Sequence, residues 1–353
     1  MRCPGIPIIV RLTSSLLLAC CPGIISAQPD EDTTYIHRFR KQITARVYIG
    51  EKISFFGLDD KKNDKHLRYR PNNILAIGIG TTIKGIGLNF STRLPYHDPK
   101  EDKYGRTRRY DFQAHRYRDK LMLDMYGQRY RGFHLNNLDH VDSVVGQQTY
   151  PYLPDLTTMT LGISGMYLFN GHRFSMKGAV NQQDKQLRSA GSFMVGAALF
   201  ARYIYNNGSI LPPYLKYPQF YEADDPQQIS TYGLTLRAGY GYNYVFGRHY
   251  FAGATIDGGA GPGYSVVRDV QGNRRSGIGL NLSANMRLAA GYNGDKWFGG
   301  FYVIFHTDQY SLPYAGSKLW TSQGIFRVVV ARRLTYNKLP FDKARERTTS
   351  NVR

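Results

Sequence analysis

The sequence predicts an all-β protein, a transmembrane antiparallel β-barrel of about twelve strands. Three observations predict it: long stretches alternate apolar with polar residues, the polar face is built from small side chains, and short connections alternate with long ones. The alternating stretches are residues 43–56, 73–82, 83–92, 117–131, 156–169, 173–180, 190–205, 231–246, 250–267, 277–291, 297–307 and 324–334. A tilted strand crosses a bilayer in about 9–11 residues, and most of these stretches reach that length.

The composition of the two faces indicates which one contacts lipid. In residues 277–291 the apolar face has no charge, whereas the other face carries Asn281, Ser283 and Asn285. A soluble calyx would expose its polar face to water, and such a face is usually rich in Lys, Glu and Gln. Small hydrogen-bonding residues suit a confined lumen better, so we expect lipid outside and a polar interior.

Two further patterns concern the ends of the strands. Tyrosines near these ends are expected to form interfacial girdles, namely Tyr244, Tyr250, Tyr264 and Tyr310. Tight connections are predicted at residues 82–84, 246–249 and 293–296, and long charged loops at 57–72, 94–116 and 206–230. This alternation of short and long connections fails in the middle of the chain. Residues 169–172 are short where a long loop is expected, and residues 132–155 are long where a turn is expected.

Charged residues inside the strands are the candidate binding residues. The alternation places six of them on the lumen face, namely Arg46, Asp124, Arg237, Asp257, Arg287 and Arg327. An arginine facing lipid at mid-bilayer would cost roughly 2–4 kcal/mol, which excludes the opposite orientation. Two interpretations remain: an electropositive lumen that favours anions, or an internal ion-pair network that plugs the barrel.

The N-terminal residues and the net charge bear on location and partners. The chain has 353 residues and a formal charge of +20, which suggests an anionic partner. Residues 1–27 have the layout of a signal peptide cleaved after Ala27; the alternative is a lipoprotein signal with Cys20 as the lipidated residue. All the cysteines, Cys3, Cys20 and Cys21, precede this cleavage site. Export from the cytoplasm argues against nucleic acid as a partner.

The remaining domain boundaries follow from the strand predictions. Residues 28–42 are expected to be a periplasmic segment, residues 43–334 the barrel and residues 335–353 a basic tail. The tail is a departure from the usual barrel, which ends on its last strand with a terminal aromatic residue.

Several short motifs resemble a known family. They are residues 69–73 (YRPNN), the Gly-rich hairpin 77–88, residues 124–133 (DMYGQRYRGF), residues 174–180 and residues 186–193. On these motifs the chain resembles the family named domain of unknown function 4421. The resemblance covers most of the chain and implies an exported outer-membrane β-barrel. It implies no activity.

The sequence singles out no catalytic or metal site and no cofactor. Residues 110–119 gather His, Asp and Arg, and are interpreted as a solvated charged loop leading into a strand. A serine hydrolase would need a paired Ser and His, and no spacing selects a pair from His172, His249, His306, Ser164, Ser175 and Ser311. His134 and His140, near Asp139 and Asp142, lack a compact metal-ligand spacing. The glycines of residues 257–263 precede no helix, which argues against a phosphate-binding loop.

Three functional hypotheses follow. The first is a non-enzymatic passage or binding site for small anionic or lipid-like molecules. The second is an outer-membrane lipid-modifying hydrolase, and the third is a structural barrel whose loops bind an anionic surface polymer. The expected partners are the outer-membrane bilayer with its lipopolysaccharide, the barrel-assembly machinery and a small anionic solute. The expected location is the cell outer membrane.

Overall fold

The computed structural model describes residues 32–39, 42–62, 64–72, 75–83, 86–94, 100–137, 151–178, 183–211 and 224–335. Its strands are β1 (Ile36–Arg38), β2 (Gln42–Asp60), β3 (Lys65–Arg70), β4 (Leu75–Ile83), β5 (Ile86–Arg93), β6 (Arg108–Tyr117), β7 (Leu121–Leu135), β8 (Tyr152–Leu168), β9 (Asp184–Gln186), β10 (Ala190–Tyr205), β11 (Pro226–Phe246), β12 (Tyr250–Asp269), β13 (Arg274–Asn293), β14 (Trp297–Ser311) and β15 (Lys318–Thr335), with one short helix, α1 (Glu101–Tyr104). The signal peptide, the lipobox alternative, the tail beyond Thr335, His140, Asp139 and Asp142 lie outside these residues.

Twelve of the strands form a closed antiparallel ring. Each of β2, β4 to β8 and β10 to β15 pairs with a ring neighbour on both sides. The ring closes because β15 pairs with β2 along its whole length, from Gln42↔Thr335 to Asp59↔Lys318. This confirms the predicted fold class. No helix within the described ranges is long and apolar enough to cross a membrane.

The two ends of the ring differ in their connections. At the end where β2 begins and β15 finishes, residues 118–120, 247–249 and 294–296 form tight turns. We call this the short-turn end. The opposite end, which we call the long-loop end, carries the connections 94–107, 136–151 and 206–225. In membrane barrels the short turns face the periplasm and the long loops face outward.

One predicted strand is wrong and one was missed. Residues 173–178 are not a strand, although Phe174 and Met176 alternate with polar neighbours. Both side chains are instead buried against the inside of the ring. The predicted loop 94–116, with the charged motif 110–119, contains strand β6 instead. When β6 is counted as a strand, short and long connections alternate again, because residues 136–151 then lie at the long-loop end.

Smaller corrections concern the strand ends. The predicted loop 57–72 includes the end of β2 and all of β3, and β11 begins four residues before the end of the predicted loop 206–230. Tyr244, Tyr250 and Tyr264 are exposed on the outer face. Tyr310 is 1% exposed and packs inside the ring, so its place in a girdle was wrong. It lies on the inward parity of β14, which position near a strand end does not reveal.

The outer face of the ring is apolar, as lipid contact requires. Large apolar side chains are exposed along the strands, among them Phe193 at 67%, Leu236 at 68%, Ile256 at 64% and Ile278 at 83%. The residues that alternate with them are buried, for example Thr235 at 1% and Asn281 at 2%. The alternation of the sequence thus becomes a lipid face and a lumen face.

Leu236→Arg tests this orientation. Leu236 lies midway along β11, so we expect the variant to lose about 2–4 kcal/mol of unfolding free energy through burial of charge in lipid. Urea unfolding of the barrel in lipid vesicles would measure the loss. Phe246→Arg, at the end of the same strand, is the matched control and should lose about 0–1 kcal/mol. Equal losses at the two positions would contradict a membrane-spanning β11.

Candidate functional site

An apolar cluster, which we call the cap, fills the long-loop end of the lumen. It consists of Phe56, Leu58, Leu67, Tyr69, Tyr130, Phe133, Leu135, Leu156, Ile204, Ile210, Leu211, Ile229, Val267, Tyr310, Leu312, Tyr314 and Leu319. Inward residues of the ring meet Ile210 and Leu211 of the 206–225 connection, and the Tyr69 hydroxyl donates to the Ile210 carbonyl at 2.8 Å. Stacking of Phe56 on Tyr69, with centroids 4.8 Å apart, completes the closure.

A second structure, which we call the plug, fills the short-turn end. It comprises residues 32–39, 169–178 and 183–189, and β1 pairs with β9 in antiparallel fashion. Phe174 is fully buried and Met176 is 4% exposed, and both pack with Met122, Met166 and other residues on the inside of the ring. The connection between β8 and β10 is longer than the tight turns at this end because it contributes residues to the plug.

Lumen-facing asparagines hold the plug through its backbone. Asn243 on β11 donates to the Ser175 carbonyl at 2.9 Å, and Asn293 on β13 donates to the Asp184 carbonyl at 3.1 Å. Within the plug, the Ser175 hydroxyl donates to the Asp184 carboxylate at 2.6 Å. These contacts satisfy polar groups that burial would otherwise leave without partners.

Charged contacts fix the plug to the turns. Lys177 and Arg38 each lie 2.9 Å from a carboxylate oxygen of Asp119, in the turn between β6 and β7. Burial works to raise the pKa of the Asp119 carboxyl, but the Lys177 ammonium and the Arg38 guanidinium outweigh it and hold the pKa below its usual value. The stabilisation is therefore present at neutral pH and is lost as the pH falls through the lowered pKa.

Between cap and plug lies a cavity of about 170 Å³. Of the six residues predicted to face the lumen, five line it, namely Arg46, Asp124, Arg237, Arg287 and Arg327. The sixth, Asp257, is 4% exposed and contacts the cavity-lining Arg237. The structure thus brings all six predicted residues to one region of the lumen.

Two of the predicted arginines are ion-paired. Arg237 pairs with Asp257, which also accepts a hydrogen bond from Asn285 at 3.2 Å. Arg287 lies 3.1 Å from Asp124, whose other oxygen accepts a hydrogen bond from Tyr117 at 2.6 Å. Each pair joins different strands across the lumen face, so the ion-pair interpretation applies to four of the six predicted residues.

Two more ion pairs at the cavity were not predicted from the sequence. Lys52 on β2 lies 2.9 Å from Asp111 on β6, and Arg202 on β10 lies 3.6 Å from Asp308 on β14. Lys52 shares the parity of Arg46, and Arg202 lies on the inward face of β10, so both cations were accessible to the same reasoning. Asp111 was not, because β6 was taken for a loop.

Arg46 and Arg327 differ from the other lumen cations. Arg46 is 4% exposed and makes no hydrogen bond or ion pair to any described residue; its Nε and Nη2 are buried without a partner. Arg327 lies with its guanidinium 4.6 Å from the centre of the Tyr48 ring, and its Nε is also buried without a partner. Neither has a carboxylate among the described residues, so the cavity carries an excess of positive charge on the β2–β15 wall.

Glycine on the neighbouring strand makes room for these side chains. A Cβ at Gly78 of β4 would overlap the Tyr48 ring, and one at Gly80 would lie 3.0 Å from Cγ of Arg46. Small residues on the lumen face of β4 therefore leave space for the side chains of Tyr48 and of the cavity-lining Arg46.

Among the described residues, neither Ser175 nor Ser311 is arranged as a serine nucleophile. Ser175 donates to Asp184, Ser311 donates to the Leu280 carbonyl at 3.0 Å, and neither contacts a histidine. His306 at the cavity lies 2.7 Å from Asp308 and 2.5 Å from Asn285, so both ring nitrogens are occupied. In the described part of the chain, no group of three or more His, Cys, Asp and Glu side chains is arranged to bind a metal.

The closed ring, its apolar outer face and its charged interior define a transmembrane β-barrel of the outer-membrane type. The chain belongs to the family described as "Domain of unknown function (DUF4421)", whose profile matches residues 30–328. The resemblance found in the short motifs is thereby confirmed. No curated protein matches the chain in sequence.

Solved structures that are similar to the chain are also β-barrel proteins of outer membranes. The outer membrane protease OmpT of Escherichia coli has a TM-score of 0.38 and 10% identity, over 84% of this chain and 98% of that chain. The toluene transporter TodX of Pseudomonas putida has a TM-score of 0.26 and 8% identity, over 84% and 91%. OmpT of Vibrio cholerae has a TM-score of 0.28 and 9% identity, over 82% and 98%. Similarities of this extent do not bear on function.

Proposed function

We propose that the barrel is a non-enzymatic binding protein that holds a small anion in its lumen, between Arg46 and Arg327. The observation that carries this proposal is the pair of cavity arginines without a carboxylate partner in the described part of the chain. Binding is favoured over free passage because the cap and the plug occupy the two ends of the lumen. Export by a cleaved signal peptide to the outer membrane is part of the same proposal.

The charge balance of the cavity supports an anionic ligand. Arg237, Arg287, Arg202 and Lys52 each have a carboxylate within ion-pair distance. Arg46 does not, and a buried charge without a partner costs several kcal/mol. An anion at this wall would offset that cost, since the guanidinium group binds carboxylate or phosphate through two parallel hydrogen bonds.

The dimensions of the cavity limit the ligand. A volume of about 170 Å³ corresponds to a few water molecules, each with a share of about 30 Å³ in the liquid. A phosphate, a sulfate or a short carboxylate fits this space. Tyr117 adds a polar group to the same cavity, and the ring of Tyr48 packs against the guanidinium of the cavity-lining Arg327.

Refolding the protein in phosphate or in chloride at equal ionic strength tests the proposal. Because phosphate would bind only the folded barrel, we expect stabilisation by roughly 2–3 kcal/mol at a concentration about 100-fold above its dissociation constant. Arg46→Gln with Arg327→Gln should abolish this difference. The same double variant should be more stable than the unaltered protein in chloride, because it removes two cavity charges that lack a carboxylate.

The control is Arg248→Gln with Arg332→Gln, which removes the same charge from exposed positions. It should keep the full response to phosphate. Stabilisation by phosphate that is equal in both double variants would place the anion outside the lumen. No response in the unaltered protein would reject an anion site for phosphate altogether.

A further inference from the structure

Among the residues that the structure describes, the wall of the barrel is incomplete between β5 and β6. The two strands pair only from Ile86↔Arg116 to Asn89↔Gln113. Beyond this point β5 remains paired with β4 as far as Arg93, and β6 remains paired with β7 from Arg108 onward. Residues 90–93 of β5 and 108–112 of β6 therefore face each other without a ladder, over about 13–17 Å of strand.

A cavity of about 190 Å³ lies in this opening. It is lined by side chains from both faces of the sheet: Lys52, Arg109 and Asp111 have inward parity, whereas Arg108 and Tyr110 have outward parity. Residues from both faces can line one cavity only where the sheet is open. Lys52 also lines the lumen cavity, so its ion pair with Asp111 lies between the opening and the lumen.

The opening is strongly basic. Four of its lining residues are cations, namely Lys52, Arg106, Arg108 and Arg109, against the single acid Asp111. Asp111 is already engaged by Lys52 at 2.9 Å and by the Tyr130 hydroxyl at 2.8 Å. Glu101 lies 3.8 Å from Arg106 but does not line the opening, so the lining keeps an excess of positive charge. This charge attracts an anionic group, whose oxygens accept the hydrogen bonds that guanidinium groups donate.

The outer rim of the opening is apolar and aromatic. Phe90 is 67% exposed, Tyr110 is 68% exposed and Phe112 is 52% exposed. Lys52 lies near the middle of β2, and the opening extends from it toward the long-loop end, along the last residues of β5 and the first residues of β6. The opening therefore lies on the long-loop side of the barrel, where a charged pocket meets the apolar outer face.

The unpaired edges of β5 and β6 also favour the binding of a polar group. A backbone group without a hydrogen-bond partner in a lipid-facing wall costs several kcal/mol. A side chain satisfies part of this requirement, since the Tyr48 hydroxyl donates to the Phe90 carbonyl at 3.1 Å. A phosphate in the opening would accept hydrogen bonds from edge N–H groups as well as from the arginines.

We propose that the opening between β5 and β6 binds the phosphorylated headgroup of a membrane lipid, whose acyl chain lies against Phe90, Tyr110 and Phe112. The headgroup contacts Arg106 and Arg108, and the membrane supplies the ligand laterally. The site goes beyond the anion site of the lumen, with which it shares only Lys52, and it stands whether or not Arg46 and Arg327 bind an anion.

Native mass spectrometry of the full-length barrel, released from detergent micelles with added lipid, tests this site. The probes are dioleoyl phosphatidic acid, dioleoyl phosphatidylcholine and inorganic phosphate. We expect phosphatidic acid to bind at least about tenfold more tightly than phosphatidylcholine, since the acyl chains are identical and only phosphatidic acid has an anionic headgroup that choline does not shield. Arg106→Gln with Arg108→Gln should weaken phosphatidic acid about tenfold and leave phosphatidylcholine unchanged.

The matched control is Arg268→Gln with Arg274→Gln, two exposed residues that are register partners at the same end of the barrel. It removes the same charge and should bind phosphatidic acid normally. Equal weakening in both double variants would overturn the site in favour of general surface attraction. Competition by millimolar inorganic phosphate would overturn the lipid source, and equal binding of the two lipids would overturn headgroup recognition. None of these outcomes affects the response to phosphate on refolding that tests the lumen site.

Discussion

Asp257→Ala is expected to destabilise the folded barrel by about 3–5 kcal/mol, because it would leave the Arg237 charge in the lumen without its carboxylate. Arg237 is 7% exposed and Asp257 is 4% exposed, and Asn285 also donates to Asp257. Removing one partner of a buried pair costs more than the pair itself contributes. Urea unfolding of the barrel in vesicles at neutral pH measures the loss.

Two further variants isolate the role of burial. Asp257→Leu with Arg237→Met removes both charges and should recover most of the lost stability, as apolar replacements of buried pairs often do. Asp295→Ala breaks the pair with Lys185 at a carboxylate that is 74% exposed, and should cost at most about 1 kcal/mol. Equal small losses for Asp257→Ala and Asp295→Ala would mean that water reaches the lumen pair freely.

The ion pair of Arg237 was within reach of the sequence. A tight turn after Phe246 sets the register of β11 and β12, and it places Arg237 opposite Gly259 and Gly239 opposite Asp257. Arg237 and Asp257 are therefore diagonal neighbours on one face, close enough for long side chains to meet. The pair of Arg287 with Asp124 was not within reach, because it spans the lumen between strands that local patterns cannot bring together.

Strand β6 shows where pattern reasoning fails in a barrel. Its inward positions carry Arg109, Asp111 and His115, and its outward positions include Arg108 and Arg116, so charge obscured the alternation. A strand in a soluble sheet rarely has this composition, and a loop often has it. In a polar lumen the inward charges find partners, as Asp111 does with Lys52, and the strand is stable.

The plug was hidden for a different reason. Phe174 and Met176 have the alternation of a strand, and only the packing of these two side chains inside the ring distinguishes a plug from a strand of the wall. The pairing of β1 with β9 joins segments about 150 residues apart, and the closure of the ring at Gln42↔Thr335 is more distant still. Contacts of that range depend on the assembled barrel. The twelve-stranded ring was predictable, whereas the closure of its ends was not.

Deleting the part of the plug that lies between β8 and β10 is expected to open the lumen to solvent, because it removes Phe174, Met176 and the strand β9 that pairs with β1. Ser164, which lines the cavity, is 8% exposed, and the chain from residue 28 onward contains no cysteine. Ser164→Cys should therefore react slowly with a cationic, membrane-impermeant thiosulfonate. Replacing residues 171–191 by Asn-Gly would join β8 to β10 through a two-residue hairpin turn. We expect labelling to accelerate about 100-fold, which corresponds to the loss of roughly 3 kcal/mol of local protection.

Two controls make the labelling experiment decisive. Arg248→Cys, on an exposed turn at the same end, should react rapidly with or without the plug. Heat-dependent migration in detergent gels would establish that the excised barrel is folded.

Rapid labelling of Ser164→Cys in the intact protein would show that the opening between β5 and β6, and not the plug, controls access to the cavity. Continued protection in a folded, excised barrel would assign the barrier to the short-turn ends of the strands themselves. If labelling accelerates only on excision, a soluble ligand must displace the plug to reach the cavity. The opening between β5 and β6 would then admit only ligands that arrive from the membrane.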